Sequence, residues 1–327
     1  MSLYPLLHTI ADGEFHSGEE LARLLGVSRT AVWKQLQKIQ LETGLPLESV
    51  KGRGYRLQQA LELLDRDRVI SEVGPLLAQL EVHEQIDSTN RLALQRAQEG
   101  CGRGHVVVAE QQTAGRGRRG RQWVSPFGRN IYCSAVWEFD GGAAALEGLS
   151  LAVGVAVAQA LTAIGVRDVG LKWPNDVVWG GRKLAGILLE MVGDAAGRCQ
   201  VVVGIGINVA MSVSAQTQQI DQPWVDVQTA LGGAAAPDSA SRNQLLAALL
   251  GQLLPTLQQF EREGFSALRA AWSALDSFNG RDVVVHLGER LVLGVAAGVS
   301  ASGALLVDTD CGRQEFHGGE VSLRLAR

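Results

Sequence analysis

Gly115-Arg116-Gly117-Arg118-Arg119-Gly120-Arg121-Gln122-Trp123 holds four arginines and three glycines in nine residues, with no acid among them. One apolar run precedes it (Val106-Val107-Val108-Ala109) and another follows (Ile131 to Trp137). Both have the length and β-branched content of buried strands, so the basic segment is expected as a loop held between them. Glycines let a backbone curl close to an anion, and guanidinium forks match phosphate oxygens. The same composition also suits a solvated basic loop or a nucleic-acid patch. A second segment, Lys172-Trp173-Pro174-Asn175-Asp176 with Lys183 close behind it, tips the balance toward a phosphate-handling site.

The totals bound the answer. A chain of 327 residues has room for two or three domains, and 46% hydrophobic residues supply real cores. The net charge of -4 excludes a general polycation, so nucleic-acid binding must come from a local patch. Cys101, Cys133, Cys199 and Cys311 lie far apart, which argues against a zinc site or a disulfide scaffold. The start of the chain lacks a basic segment before a long apolar core, so the expected compartment is the cytoplasm. The run Leu149 to Ile164 is broken by Ser150, Gly154, Gln159 and Thr162, and is expected as a buried helix rather than a membrane span.

Residues 1–63 are expected to form a small DNA-binding head. Ser17-Gly18-Glu19-Glu20 is a capping box, Leu21, Leu24 and Leu25 follow at helical spacing, and Gly26 ends the helix. Ser28 caps a second helix with Val32, Leu36 and Ile39 as its apolar stripe. The pair makes a helix-turn-helix over about 18–37. Arg29, Thr30, Trp33, Lys34 and Gln37 lie on the opposite face, where they would meet a major groove. Val50 to Leu57 then reads as a hairpin wing carrying Lys51 and Arg53. From Val27 to Leu57 six cations face two acids. A helical hairpin for protein contacts would share the stripe, but not this charge footprint.

Residues 67–272 alternate strand-like and helix-like segments, as in a mixed α/β domain. Asp87-Ser88-Thr89-Asn90 opens a helix at 91–98, with hydroxyls that either cap it or line a polar pocket. Gly204-Ile205-Gly206 is half a dinucleotide fingerprint, but no third glycine or helix follows, so a Rossmann domain is excluded. In order along the chain come Asp87 to Asn90, Gln112, Gly115 to Trp123, Ser125-Pro126, Lys172 to Asp176, Arg182 to Glu190 and Gly204 to Val209. This series resembles biotin–protein ligase. With the head it is similar to the bifunctional form of that family, the biotin operon repressors.

The resemblance implies an α/β multidomain protein: a winged helix-turn-helix, a class II aminoacyl-tRNA synthetase-like ligase domain, and a small SH3-like barrel over 277–327. It implies that biotin's carboxylate attacks the α-phosphate of ATP, and that a lysine of a biotin carboxyl carrier protein then takes biotin from biotinyl-5′-AMP. Arg116, Gly117, Arg118 and Lys183 would contact the carboxyl and phosphate groups, with Lys183, Arg118 and Arg116 as the catalytic cations. Ser88, Thr89, Asn90 and Gln112 would serve biotin's polar ring, and Trp123, Ile187 and Gly204 its apolar part. Arg118, Arg121, Lys172, Asn175, Asp176, Asn208 and Trp224 would form the nucleotide side, with Mg²⁺ near Asp176. A carboxylate is ionised at neutral pH, so the first step needs no general base, only positioning and charge stabilisation.

The arginine loop is expected to order around its ligand and exclude water from the anhydride. Residues 281–327 alternate Val/Leu runs with Gly-containing turns, the pattern of a small barrel, either a nucleotide- or carrier-binding domain or a structural cap. The family further implies operator DNA as a partner and a ligand-favoured homodimer, with loops near 140–142 and 193–197 contributing, and no membrane. Three other readings stay open: a ligand-sensing repressor without catalysis, a lipoate-type ligase, and a ligase whose head regulates nothing.

Overall fold

The computed structural model describes residues 4–193, 197–211, 217–233, 241–288, 290–318 and 321–325. The head comprises helices α1 (Tyr4–Ile10), α2 (Gly18–Leu25) and α3 (Arg29–Thr43) and a hairpin of β1 (Leu47–Val50) and β2 (Gly54–Leu57). Ser17 Oγ accepts from the Glu20 amide at 3.0 Å, Ser28 Oγ accepts from the Ala31 amide at 3.2 Å, and Gly26 closes α2 in the left-handed conformation. The helix-turn-helix therefore forms where its caps direct it, although α3 continues beyond Gln37 to Thr43. Leu6, Leu7, Ile10, Leu21, Val32, Leu36 and Ile39 make its core.

The central domain is built on a seven-stranded sheet. Its strands are β3 (Gln79–Ile86), β4 (His105–Gln112), β5 (Asn130–Phe139), β6 (Gly170–Lys172), β7 (Asp176–Trp179), β8 (Arg182–Gly193) and β9 (Cys199–Asn208), in the order β3-β4-β5-β9-β8-β7-β6. Only β3 and β4 pair in parallel. Gly204 and Gly206 thus sit inside an antiparallel strand, not at a strand-to-helix turn. One sheet face is covered by α6 (Leu149–Ala163) and α8 (Arg242–Glu263), with α4 (Arg66–Glu72) and α9 (Arg269–Ala274) packed at their flanks. The other face carries α5 (Thr89–Gln98) over Val107, Val136 and Val202. A short α7 (Val227–Ala230) follows β9. The stretch Ala144–Ala163 is long and apolar enough for a membrane span, but its side chains are mostly buried inside the protein. A final five-stranded antiparallel sheet contains β10 (Asp282–Leu287), β11 (Arg290–Val299), β12 (Leu305–Thr309), β13 (Gly312–Phe316) and β14 (Val321–Leu325), in the order β13-β12-β11-β10-β14.

The head and the central domain share a junction that suspends the arginine loop. Phe127, at the end of that loop, is buried in the head's own core with Leu57, Leu61 and Leu63. Gly128 has φ +64°, and a Cβ there would lie 2.6 Å from Leu61 Cδ1, so only glycine fits. Its amide donates to the Glu110 carbonyl at 2.9 Å, which closes the loop's base. The Glu110 carboxylate is fully buried and accepts from the Leu64 amide and from Arg242, whose guanidinium lies 2.7 Å away and is 4% exposed. Arg242 also donates to the carbonyls of Glu62 and Asn130, so this buried pair is hydrogen-bonded on several sides.

Candidate active site

Sheet register lays out the site's floor. Across neighbouring strands on the α5 face run Tyr132, Gly206, Gly186 and Asp176, then Ser134, Gly204 and Leu188, then Val136, Val202 and Glu190. The three glycines leave a slot where side chains would otherwise stand. A Cβ at Gly204 would collide with the Asn90 amide oxygen, and one at Gly206 would come 2.5 Å from Trp123 Cε2. One at Gly186 would come 2.9 Å from Trp123 Cζ3. Trp123 therefore packs over two glycines, and its buried Nε1 has no hydrogen-bond partner among the described residues.

A cavity of about 50 Å³, partly open to solvent, lies above this floor. Its lining gathers Ser88, Thr89, Asn90, Gln112, Arg116, Gly117, Arg118, Trp123, Asn175, Lys183, Ile187 and Gly204 from four separate parts of the chain. At one end, Gln112 Oε1 accepts from the Thr89 amide and hydroxyl at 2.9 and 3.1 Å, and Gln112 Nε2 donates to Ser125 at 3.1 Å. Ser134 Oγ lies 2.6 Å from Asn90 Oδ1 and 2.8 Å from Thr89 Oγ1, so its single proton goes to one or the other. Ser88 caps α5 through its hydroxyl and also lines the cavity.

At the other end the cations converge. Lys183 Nζ is 2.7 Å from Asp176 Oδ1 and 5.4 Å from the Trp123 ring. Arg118 donates to Asn175 Oδ1 at 2.9 Å, and burial lowers its pKa from the ordinary guanidinium value. Asn175 is held in turn by a bond to the Ile187 carbonyl at 2.9 Å. Burial likewise lowers the pKa of Lys172, which sits 5.5 Å from the Phe278 ring. Arg121 is exposed. Of the residues expected on the nucleotide side, Arg118 and Asn175 line the cavity, whereas Arg121, Lys172, Asp176, Asn208 and Trp224 do not. Asn208 Nδ2 donates to the carbonyls of Lys183 and Val225, and the Trp224 segment bridges to Lys183 by backbone pairing, so both brace the lysine from behind. Sequence reasoning assigned no role to Ser134, Gly186, Gly206 or Glu190. The period-2 spacing of Gly204 and Gly206 in a strand was the available signal for the floor.

In the head, Arg29, Thr30, Trp33, Lys34 and Gln37 all stand exposed on α3, and Trp33 is 51% exposed. Two of the six cations are neutralised: Lys38 pairs with Glu42 at 3.5 Å and Arg56 with Glu48 at 2.7 Å. Arg53 lies 4.1 Å from the centre of the Phe15 ring, which steadies the wing beside Lys51.

A glycine-floored slot, polar at one end and cationic at the other, set in a largely antiparallel sheet, defines the class. Residues 82–208 match the biotin/lipoate A/B protein ligase family, and the chain belongs to it. Residues 6–56 match an HTH domain and residues 279–324 a biotin protein ligase C-terminal domain. The chain is 41% identical over 321 residues to the bifunctional ligase/repressor BirA of Salmonella typhimurium, covering 98% of this chain and 97% of that one. It is 40% identical to the BirA of Escherichia coli, again over 98% of this chain and 97% of the relative. Among solved structures it is similar to the biotin protein ligase of Aquifex aeolicus in complex with biotin and ATP. That match has a TM-score of 0.64 and 28% identity, and covers 76% of this chain and 100% of that one.

Proposed function

We propose that this protein is an ATP-dependent biotin–protein ligase that also represses transcription, with biotinyl-5′-AMP as its corepressor. The observation that carries the reading is the cavity itself. The Thr89–Gln112–Asn90 end offers donors and acceptors to a ureido ring, and the cavity walls of Trp123, Ile187 and Leu188 accept a flat bicycle and chain. Arg116, Arg118 and Lys183 stand where the chain's carboxylate would meet a phosphate. A carboxylate oxygen attacks the α-phosphorus, and the bond to the bridging oxygen breaks as pyrophosphate leaves. The three cations offset the charge of two anions brought together. A carrier lysine's amine then attacks the acyl carbon, and AMP leaves with the C–O bond pair.

Arg121, Lys172, Asn175, Asp176, Asn208 and Trp224 are assigned to the nucleotide side, and Lys51, Arg53 and the exposed face of α3 to operator DNA. Among the described residues no cluster of three acids, histidines or cysteines could cage a metal. Asp176 already gives its carboxylate to Lys183 at 2.7 Å. Mg²⁺ would therefore be held chiefly by the ATP phosphates, where it would neutralise the leaving pyrophosphate. Asp176 would meet it only by releasing the lysine.

The domain limits 1–63, 67–272 and 277–327, the synthetase-like character of the centre and the SH3-like character of the last sheet belong to the same proposal. So does a homodimer. Beyond Gly186, β8 has no strand on one side among the described residues, leaving an edge that a second copy or the carrier protein would pair. Of the loops expected to contribute, 140–142 lies within the described residues, whereas 194–196 lies outside them.

Incubation with ATP, Mg²⁺ and labelled biotin tests the ligase reading. It should release pyrophosphate and leave a stable enzyme-bound adenylate that carrier protein discharges. No adenylate, or equal use of lipoate, would overturn it. The repressor half is tested separately by gel shift: DNA binding no stronger with biotin plus ATP than without them would remove it.

A further inference from the structure

Glu190 has no role in the site described so far, yet its carboxylate joins the start of α5 to the arginine loop. It follows Gly186 and Leu188 in the row of β8 residues that face the cavity, and stands at the rim with a side chain 25% exposed. Its Oε2 accepts from Asn90 Nδ2 at 2.7 Å and from an Arg116 guanidinium nitrogen at 2.8 Å. Asn90 is itself confined, because it packs against the bare Gly204 backbone with Ser134 Oγ 2.6 Å from its amide oxygen. The carboxylate is therefore a preset anchor for Arg116. Arg118, the loop's other cavity arginine, donates to the Asn175 amide oxygen.

We propose that Glu190 is a positioning residue: it latches Arg116, and with it the Gly115–Gly117 arm, across the unpaired edge of β8, and so sets how long the reaction intermediate stays enclosed. The proposal rests on the ligase reading for the identity of what is enclosed. The physical content is one charge-assisted bond between half-buried groups, stronger than a neutral bond and aimed by a confined amide. It holds the loop without touching the acyl phosphate.

The test uses the full chain. Glu190→Gln keeps an oxygen for Asn90 and removes the charge that holds Arg116. After adenylate is formed from ATP and labelled biotin, a chase with unlabelled biotin should show release about tenfold faster than wild type, a tenfold change being about 1.4 kcal/mol. Arg116→Ala should accelerate release at least as much, because it also removes a cation from the cavity, and the double variant should release no faster than Arg116→Ala alone. Glu190→Asp, which keeps the charge on a shorter stem, should fall between wild type and Glu190→Gln. The melting temperature of ligand-free Glu190→Gln should match wild type, as a merely structural glutamate would not allow. Wild-type release by Glu190→Gln, or effects of the two residues that multiply, would overturn the latch. Limited proteolysis of the ligand-free proteins at residues 115–128 decides the matter independently of chemistry. Faster cleavage in Glu190→Gln supports the latch even if no adenylate forms in wild type, and equal cleavage refutes it.

Discussion

Replacing Glu110 by glutamine should cost more stability than any single change in the cavity. Glu110 is fully buried and pairs with Arg242 at 2.7 Å across the head–centre junction. Glutamine keeps an oxygen for the Leu64 amide but turns an NH₂ group toward the guanidinium, so two donors meet. Removing one partner of a buried ion pair costs about 3–5 kcal/mol, because the other charge stays behind in the interior. The low end applies here, since Arg242 still donates to the carbonyls of Glu62 and Asn130, leaving a loss of about 3 kcal/mol. With an unfolding slope of about 3 kcal/mol/M in urea, the midpoint at neutral pH falls by about 1 M, read by far-ultraviolet circular dichroism. Adding Arg242→Met should recover part of the loss, because the stranded charge is gone. A Glu110→Gln loss below about 1 kcal/mol, or a double variant as unstable as the sum of the singles, would refute the reasoning. The Glu110 carbonyl also closes the base of the arginine loop, so biotin affinity should fall with stability.

Three further outcomes are expected. Gly204→Ala drives a methyl into the confined Asn90 amide, and overpacking of about 2 kcal/mol should weaken biotin binding roughly thirtyfold by calorimetry while the fold persists. Arg118→Gly removes a half-buried guanidinium from the cavity and should release the adenylate early, labelling bystander lysines on a protein added without acceptor sequence; unchanged acceptor selectivity would count against that role. Hydrogen bonds from Arg96, assisted by His83 and His105, hold Glu81 at about 2, below its ordinary 4.5. A depressed carboxylate stabilises the fold above its unfolded value and loses that contribution as pH falls toward its folded value. Melting temperatures of wild type should therefore drop between pH 4.5 and about 2, and Glu81→Gln should drop less steeply over that window.

Local sequence carried much of this protein. Ser17, Gly26 and Ser28 sit at the cap positions that the chain's own short-range bonds require, so the helix-turn-helix is legible residue by residue. The basic loop between two buried runs, and the lysine at the mouth of β8, were legible for the same reason: composition and spacing act over a few residues. The cavity residues 88–90, 112, 116–118, 123, 175, 183, 187 and 204 were nameable because each lies in a short recurring motif.

Tertiary structure alone decided how those pieces bear on one another. Glu110 and Arg242 are separated by 132 residues, and nothing near either one announces a buried charge. Phe127 reads as an ordinary apolar residue after the loop, yet it belongs to the core of another domain. Ser134 and Glu190 gain their partners only because β5, β9 and β8 lie side by side in one register. Hydrogen bonds between remote side chains depend on which strands become neighbours, and that is settled by burial of the whole sheet rather than by any local pattern.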